Sequence, residues 1–481
     1  MSIRNDRLRV AFPIWSQVNA IDPHSIQAAG PAIISQNVFS KLVTFSNNGQ
    51  IQGELATDFY WDGEGYSFTI EPITTADGYS IGAEDAYYSL KRIVALDKNT
   101  HGSLKQFICP DTKITRLTDP CEGLSWSGNT LRIVPAQPVF RQHILPLIGA
   151  VDYSILRKSD LDLDNPSLLK IDWRNTSGPY YLTNANSSTA LLSLNSRHPL
   201  ASQSNFKELE IVSLRNDHAI SEFKAGRVDF ITTIGGVGRK EIQEFQNSGK
   251  VFTHVTLPMH LHYFHFLAPG MEELNSAERH ALGLFLRRRL LAANHENEIT
   301  PTHEFFPADG PGRITEEQND SLNEIKDTAK EVDLNKLRVR LIVPKHSVDK
   351  FREMFKDAAF LHIEEPDGPP WVMAQSRQPH LYYGLTDSGY SADLPLLSYN
   401  ISVETFADKK TGQDWLSNYW KIDDEAERMR AINQLHFKAL RDARIVPVFM
   451  DSYIAVSRLP VKFTLSRFYA NNYFTQIRSI D

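Results

Sequence analysis

The densest run of chemically useful side chains lies between Thr253 and Phe266, where His254, His260, His262 and His265 interrupt Leu, Tyr and Phe. On a strand, residues two apart share a face, so His260 and His262 present two imidazoles on one side, a usable start for zinc, nickel or haem ligation. No H-E-x-x-H pattern and no carboxylate at fixed spacing completes a coordination set. The run is therefore read as histidines lining a ligand cleft, with a polar strand edge as the plainer alternative, and no metal or cofactor is expected. Gly78-Tyr-Ser80-Ile-Gly82 matches the nucleophile elbow of hydrolases, but an elbow needs a strand running straight into its serine, and a turn at Thr74–Gly78 intervenes. Ser80 is accordingly a loop residue ahead of a helix, and no catalytic residue is assigned. Gly235-Gly-Val-Gly238 has neither dinucleotide spacing nor a Walker lysine, and Arg287-Arg-Arg289 is a basic step on a helix face.

The cysteines number two, Cys109 and Cys121, in a proline-marked segment. A bridge between them would close a short surface loop and suit an oxidising compartment; two free thiols are the alternative. Two thiols alone do not make a structural zinc site.

These groups need a scaffold, and 481 residues exceed what one hydrophobic core usually holds, so two or three lobes are expected. Hydrophobic residues at 41% and charged residues at 23% are ordinary globular values. A net charge of −7 and a pI near 6.2 offer no general attraction to nucleic acid or anionic lipid, and no nucleic-acid partner is expected. Apolar stretches such as Ala281 to Leu286 fall far short of the roughly 20 residues a membrane helix needs. The first residues carry no apolar leader core, so either the protein is cytoplasmic or its leader has been removed.

Along the chain, a strand at Leu8–Phe12 leads through a loop with Trp15, Asn19 and Asp22-Pro23 into a helical run ending near Leu42. Short β-branched and aromatic runs at Leu42, Phe59 and Tyr66, punctuated by Asn-Asn-Gly and Asp-Gly-Glu-Gly, predict antiparallel hairpins. The period turns helical at Ala83, with Glu84 and Asp85 in the first turn and Gly82 as N-cap. Asn216 to Gly226 predicts a capped helix feeding a strand at Val228, the rhythm of an α/β fold. Helices are expected from Glu278, over 348–357 and over 423–443, with strands over 337–343 and 360–364 and at Ile445; residues 294–333 are read only as polar.

The order of these segments is more specific than any single motif. Asp22-Pro23, Asn37 to Phe45, Gly53-Glu-Leu-Ala-Thr-Asp-Phe, Tyr66-Ser-Phe-Thr-Ile, and Ala83 to Arg92 resemble the amino-terminal half of the peptide and nickel class of ABC-transporter extracytoplasmic solute-binding proteins, family 5. Ser177-Gly-Pro-Tyr-Tyr-Leu, Phe223 to Ile231, Leu286 to Asn294 and Ala443 to Phe449 follow in the family's order, so the resemblance spans nearly the whole chain. It implies a periplasmic binding protein type II-like α/β fold, with two large α/β lobes and a small, mainly β lobe closing on a hinge. Domain I would comprise residues 1–42, 173–262 and 450–481, small domain II residues 43–172, and domain III residues 263–449. Hinge strands near His260–Phe266 and Phe449–Tyr453 would floor the cleft.

In peptide-binding relatives an aspartate after a Gly-Trp-x-Ala run receives the ligand's α-amine. The matching run here is Gly384, Leu385, Thr386 and Asp387, followed by Tyr390, with Leu385 in the tryptophan's place. Asp387 is the amine-binding candidate, and Trp15, Asn19, His260, His262 and Tyr263 are candidates for the walls. The resemblance further implies a monomer with a small-molecule or peptide ligand and a membrane permease as partner. It implies a periplasmic or extracellular, membrane-anchored location. Alternatives are a cytoplasmic ligand-sensing module of a transcriptional regulator, a metal-chelate or haem binder, and a hydrolase using Ser80.

Overall fold

The computed structural model describes residues 6–12, 18–26, 29–46, 50–97, 104–214, 216–233, 239–249, 251–256, 258–294, 299–307, 310, 312–365, 377–387, 401–463 and 474–479. The chain divides into two compact units, Met1–Thr256 with Tyr453–Asp481, and Leu257–Ser452.

In the first unit, seven strands run in the order Tyr180–Ala185, Thr189–Leu194, Glu208–Val212, Arg7–Ala11, Phe230–Thr232, Ile454–Ser457, Phe252–Val255. Arg7–Ala11 is parallel to both Glu208–Val212 and Phe230–Thr232, and helix Asn216–Lys224 makes the crossover between those two. Such a crossover needs a covered face, which Ala219, Ile220 and Phe223 of the helix supply against Ala11, Ile231 and Val456. Gly226, at φ +74°, permits the reversal that ends the helix and starts the next strand.

The same unit holds a four-stranded antiparallel sheet, Ala56–Trp61, Tyr66–Ile70, Thr130–Ile133, Leu124–Ser127. Its first hairpin turns where Asp62 Oδ1 accepts from the N–H groups of Glu64 and Gly65. Helix Ala83–Leu96 begins at Gly82, whose N–H donates to Asp85 Oδ2 at 2.9 Å. Its Arg92, fully buried, donates to both oxygens of Asp22, to the Pro166 carbonyl and to His24 Nδ1. That network ties Asp22 to the helix through Arg92, because a buried guanidinium is tolerable only when its donors are satisfied. A disulfide joins Cys109 and Cys121, whose Cα atoms are 5.7 Å apart.

Gly178 fits where a side chain would not, since an added Cβ would meet the Val38 carbonyl carbon at 2.4 Å and Phe39 N at 2.6 Å. Beside it, Ser177 Oγ accepts from the Ser40 N–H and donates to the Ile155 carbonyl. The Ser-Gly-Pro motif thus ties helix Ala29–Val38 to the strand at Tyr180.

In the second unit, six strands run in the order Ile299–Pro301, Ile445–Asp451, His260–Phe266, Leu381–Asp387, Val339–Ile342, Leu361–Glu364. Helix Ser276–Ala293 is opened by a reciprocal cap between Asn275 and Glu278, and it buries Leu282, Leu286 and Leu290 against Phe264, Phe266 and Val448. The segment over 294–333, read only as polar, contains the helix Glu316–Ala329. Among the described residues, no helix is long and apolar enough to cross a membrane.

Candidate functional site

His260–Phe266 sits between two antiparallel neighbours, Leu381–Asp387 on one side and Ile445–Asp451 on the other. The register sets His260 opposite Asp387 on the first and Asp451 on the second, and His262 opposite Leu385 and Phe449. Strand alternation sends His260, His262, Phe264 and Phe266 to one face. Phe264 and Phe266 are wholly buried in the unit's core, and the two histidines continue that row past the point where the apolar residues stop.

There the side chains form a connected cluster. His260 Nδ1 lies 3.1 Å from Asp451 Oδ1, and His262 Nε2 lies 3.5 Å from Asp451 Oδ2. The two imidazole rings are 4.9 Å apart. His262 is held from two further sides, stacked on Phe449 at 4.1 Å and hydrogen-bonded through Nδ1 to the Tyr383 hydroxyl. Burial alone would raise the Asp451 carboxyl, but hydrogen bonds and charge from His260 and His262 outweigh it and hold the group well below the usual carboxylate range. Burial, reinforced by the Asp451 charge, pushes the Tyr383 hydroxyl well above its ordinary value, so it stays protonated. One ligand atom from each of His260, His262 and Asp451 lies within 4.8 Å of the others, and among the described residues this is the group with metal-holding geometry.

The opposite face carries a second relay. His265, nearly fully buried, has Nδ1 3.0 Å from the Tyr382 hydroxyl and Nε2 2.9 Å from Glu404 Oε2. Burial would raise the Glu404 carboxyl, yet His265 and Arg444 together keep it low.

The structure places the residues singled out in the sequence unequally. His260 and His262 meet in the cluster. Tyr263 points into the core, with its ring 5.4 Å from Phe305, and it fills the space over Gly384, where an added Cβ would come within 2.5 Å of Tyr263 Cζ. Leu385 packs on the hydrophobic core. Thr386 is 3% exposed, and its hydroxyl has no hydrogen-bond partner among the described residues. Asp387 is the last residue of its strand, opposite His260 in register. Asn19 belongs to the short turn Val18–Ala20 of the first unit. Its side chain, like Trp15 and Tyr390, lies outside the described residues. Ser80 lies on a two-residue strand paired with Ile73–Thr74, not in the expected loop, and its side chain is exposed.

Sequence reasoning missed Asp451 and Tyr383. Asp451 is 191 positions from His260, so no local spacing reveals it; only knowing that the two strands pair would have brought it in.

No protein-family model matches the sequence, and no curated protein matches it. Solved structures do match in three dimensions. NikA from Brucella suis in complex with Fe(III)-EDTA superposes with a TM-score of 0.79 at 13% identity, covering 98% of this chain and 100% of that one. OppA from Haemophilus influenzae in complex with the peptide RPPGFSPFR gives 0.75 at 14% identity, with full coverage of both chains. The ABC transporter-associated periplasmic binding protein DppA from Helicobacter pylori, in complex with the peptide STSA, gives 0.73 at 13% identity, covering 99% of this chain and 98% of that one. The chain therefore shares the α/β fold of these binding proteins over 98 to 100% of its length.

Proposed function

We propose that this chain is the solute-binding component of an ABC importer, capturing a small ligand, a peptide in the first instance, and handing it unaltered to a membrane permease. The observation that carries the reading is the end-to-end likeness, with coverage of 98 to 100% in both directions, to proteins whose structures hold peptides or a metal chelate. An enzyme sharing only a substructure would match over a part. On this reading the chain works outside the cytoplasm as a monomer. It is built as domain I (1–42, 173–262, 450–481), small domain II (43–172) and domain III (263–449).

Such a component would work by population shift, in which a ligand that binds one conformation better than another draws the protein into it. The backbone from Gly384 to Asp387 would pair with an extended peptide, giving affinity that tolerates many side chains. Asp387 would receive the peptide's α-ammonium, a charge-assisted hydrogen bond. Trp15, Asn19 and Tyr390 would contribute walls.

Calorimetric titration with a short free peptide and its N-acetylated twin tests the assignment. The Asp387→Ala variant should lose about 1.5 kcal/mol or more, roughly tenfold in Kd, for the free peptide only. Equal affinity of both proteins for the free peptide removes Asp387 from the site.

A further inference from the structure

We propose that His260, His262 and Asp451 form a binding site for one divalent first-row transition cation, of the zinc, cobalt or nickel kind, held by the protein's own side chains. All three ligands come from the protein itself, so the site needs no cargo to form. Two imidazoles and one carboxylate are the donor types that borderline cations take, and they suit calcium or magnesium poorly, since those ions demand mostly oxygen ligands.

Geometry supports the same choice. Ligand bonds of about 2.0–2.1 Å around a tetrahedral ion put neighbouring donors roughly 3.3 Å apart. The Asp451 oxygens already stand 3.1 Å from His260 Nδ1 and 3.5 Å from His262 Nε2, so small rotations of three side chains admit the ion. The scaffold is set by the backbone: His260 and Asp451 are direct cross-strand partners, and neither needs an ion to be brought there. His262 is also pre-oriented. Its ring stacks on Phe449 and its Nδ1 meets the Tyr383 hydroxyl, which leaves Nε2 turned toward Asp451. An outer partner on the second ring nitrogen is the usual companion of a ligating histidine. Three protein donors leave a fourth position for water or a ligand group.

The location gives the ion a mechanical role. The chain enters this unit after Thr256 and leaves it after Ser452, so His260 and Asp451 lie on the entering and leaving strands a few residues from those points. A bound cation would staple the two strands together there.

The test uses the full chain stripped of metal with EDTA and titrated with Co(II). The expected result is one ion per chain with the intense visible absorption of tetrahedral cobalt, bleached by equimolar Zn(II), and a rise in Tm on adding Zn(II). His262→Ala and His260→Ala should each weaken binding at least tenfold and remove the Tm rise, and Asp451→Asn, which keeps the side chain's shape, should do the same. His254→Ala should bind as the parent does. Far-UV circular dichroism identifies any variant that has unfolded, and the remaining variants decide. Absence of stoichiometric cobalt binding, or binding that survives in the folded His262→Ala and Asp451→Asn proteins, overturns the proposal. Peptide titration of the metal-free protein reads the importer function separately, so either reading can fail alone.

Discussion

At the residue scale, Thr386 separates a structural from a functional role. Its buried hydroxyl has no partner among the described residues, an arrangement that costs free energy, and valine has the same shape and at least equal strand preference. Thr386→Val should leave thermal stability unchanged or raise it by up to about 1 kcal/mol, while weakening the ligand the strand is proposed to bind. A clear loss of stability on thermal unfolding would show instead that the hydroxyl supports the fold. This is also the scale at which the sequence was hardest to interpret. The His260–His262 pair was legible because strand alternation is local. Their partners Asp451 and Tyr383 were not, because they arrive through strand pairing across more than a hundred positions.

At the element scale, close approach decides two glycines. Gly384→Ala would drive a methyl into the Tyr263 ring, which is itself buried and has no room to give, and overpacking of this kind costs about 1–3 kcal/mol. Gly178→Ala meets only backbone, of Asn37, Val38 and Phe39, so it should cost at least as much. Urea unfolding of both variants measures this, and wild-type midpoints would contradict the packing described. Elements with strong signals were legible in advance: the Gly82-capped helix, the helix from Asn216 and the strand at Ile445. Helix Glu316–Ala329 was missed because it buries only Leu322 and Ala329, too little for a periodic pattern. Its Thr315–Gln318 capping box was nonetheless present to be read.

At the scale of the whole molecule, three buried histidines set an acid limit. Burial, with the charge of Arg92 beside it, lowers His24 to about 3, and burial chiefly lowers His198 and His436 to about 4. Each is neutral in the native state: His436 Nε2 accepts from the Phe305 N–H while Nδ1 faces the Gly312 carbonyl. The unfolded chain takes up protons near the ordinary value of 6.5, so below that pH it binds more protons than the native state does. Stability should therefore fall as pH drops from about 6.5 toward 4 and level off below the native values. Urea midpoints at pH 7 and pH 5 test the sign, and an equal or higher midpoint at pH 5 would refute it. Reducing Cys109–Cys121, which are 12 positions apart, should cost about 3 kcal/mol in thermal or urea unfolding.

The account as a whole rests on capture without chemistry. Native mass spectrometry of the gently purified full chain, before and after incubation with a mixture of short peptides, tests this most directly. The account predicts a noncovalent adduct of one small molecule per chain, released intact on denaturation. A chain that takes up nothing from the mixture, or that returns its ligand cleaved or otherwise altered, would contradict it.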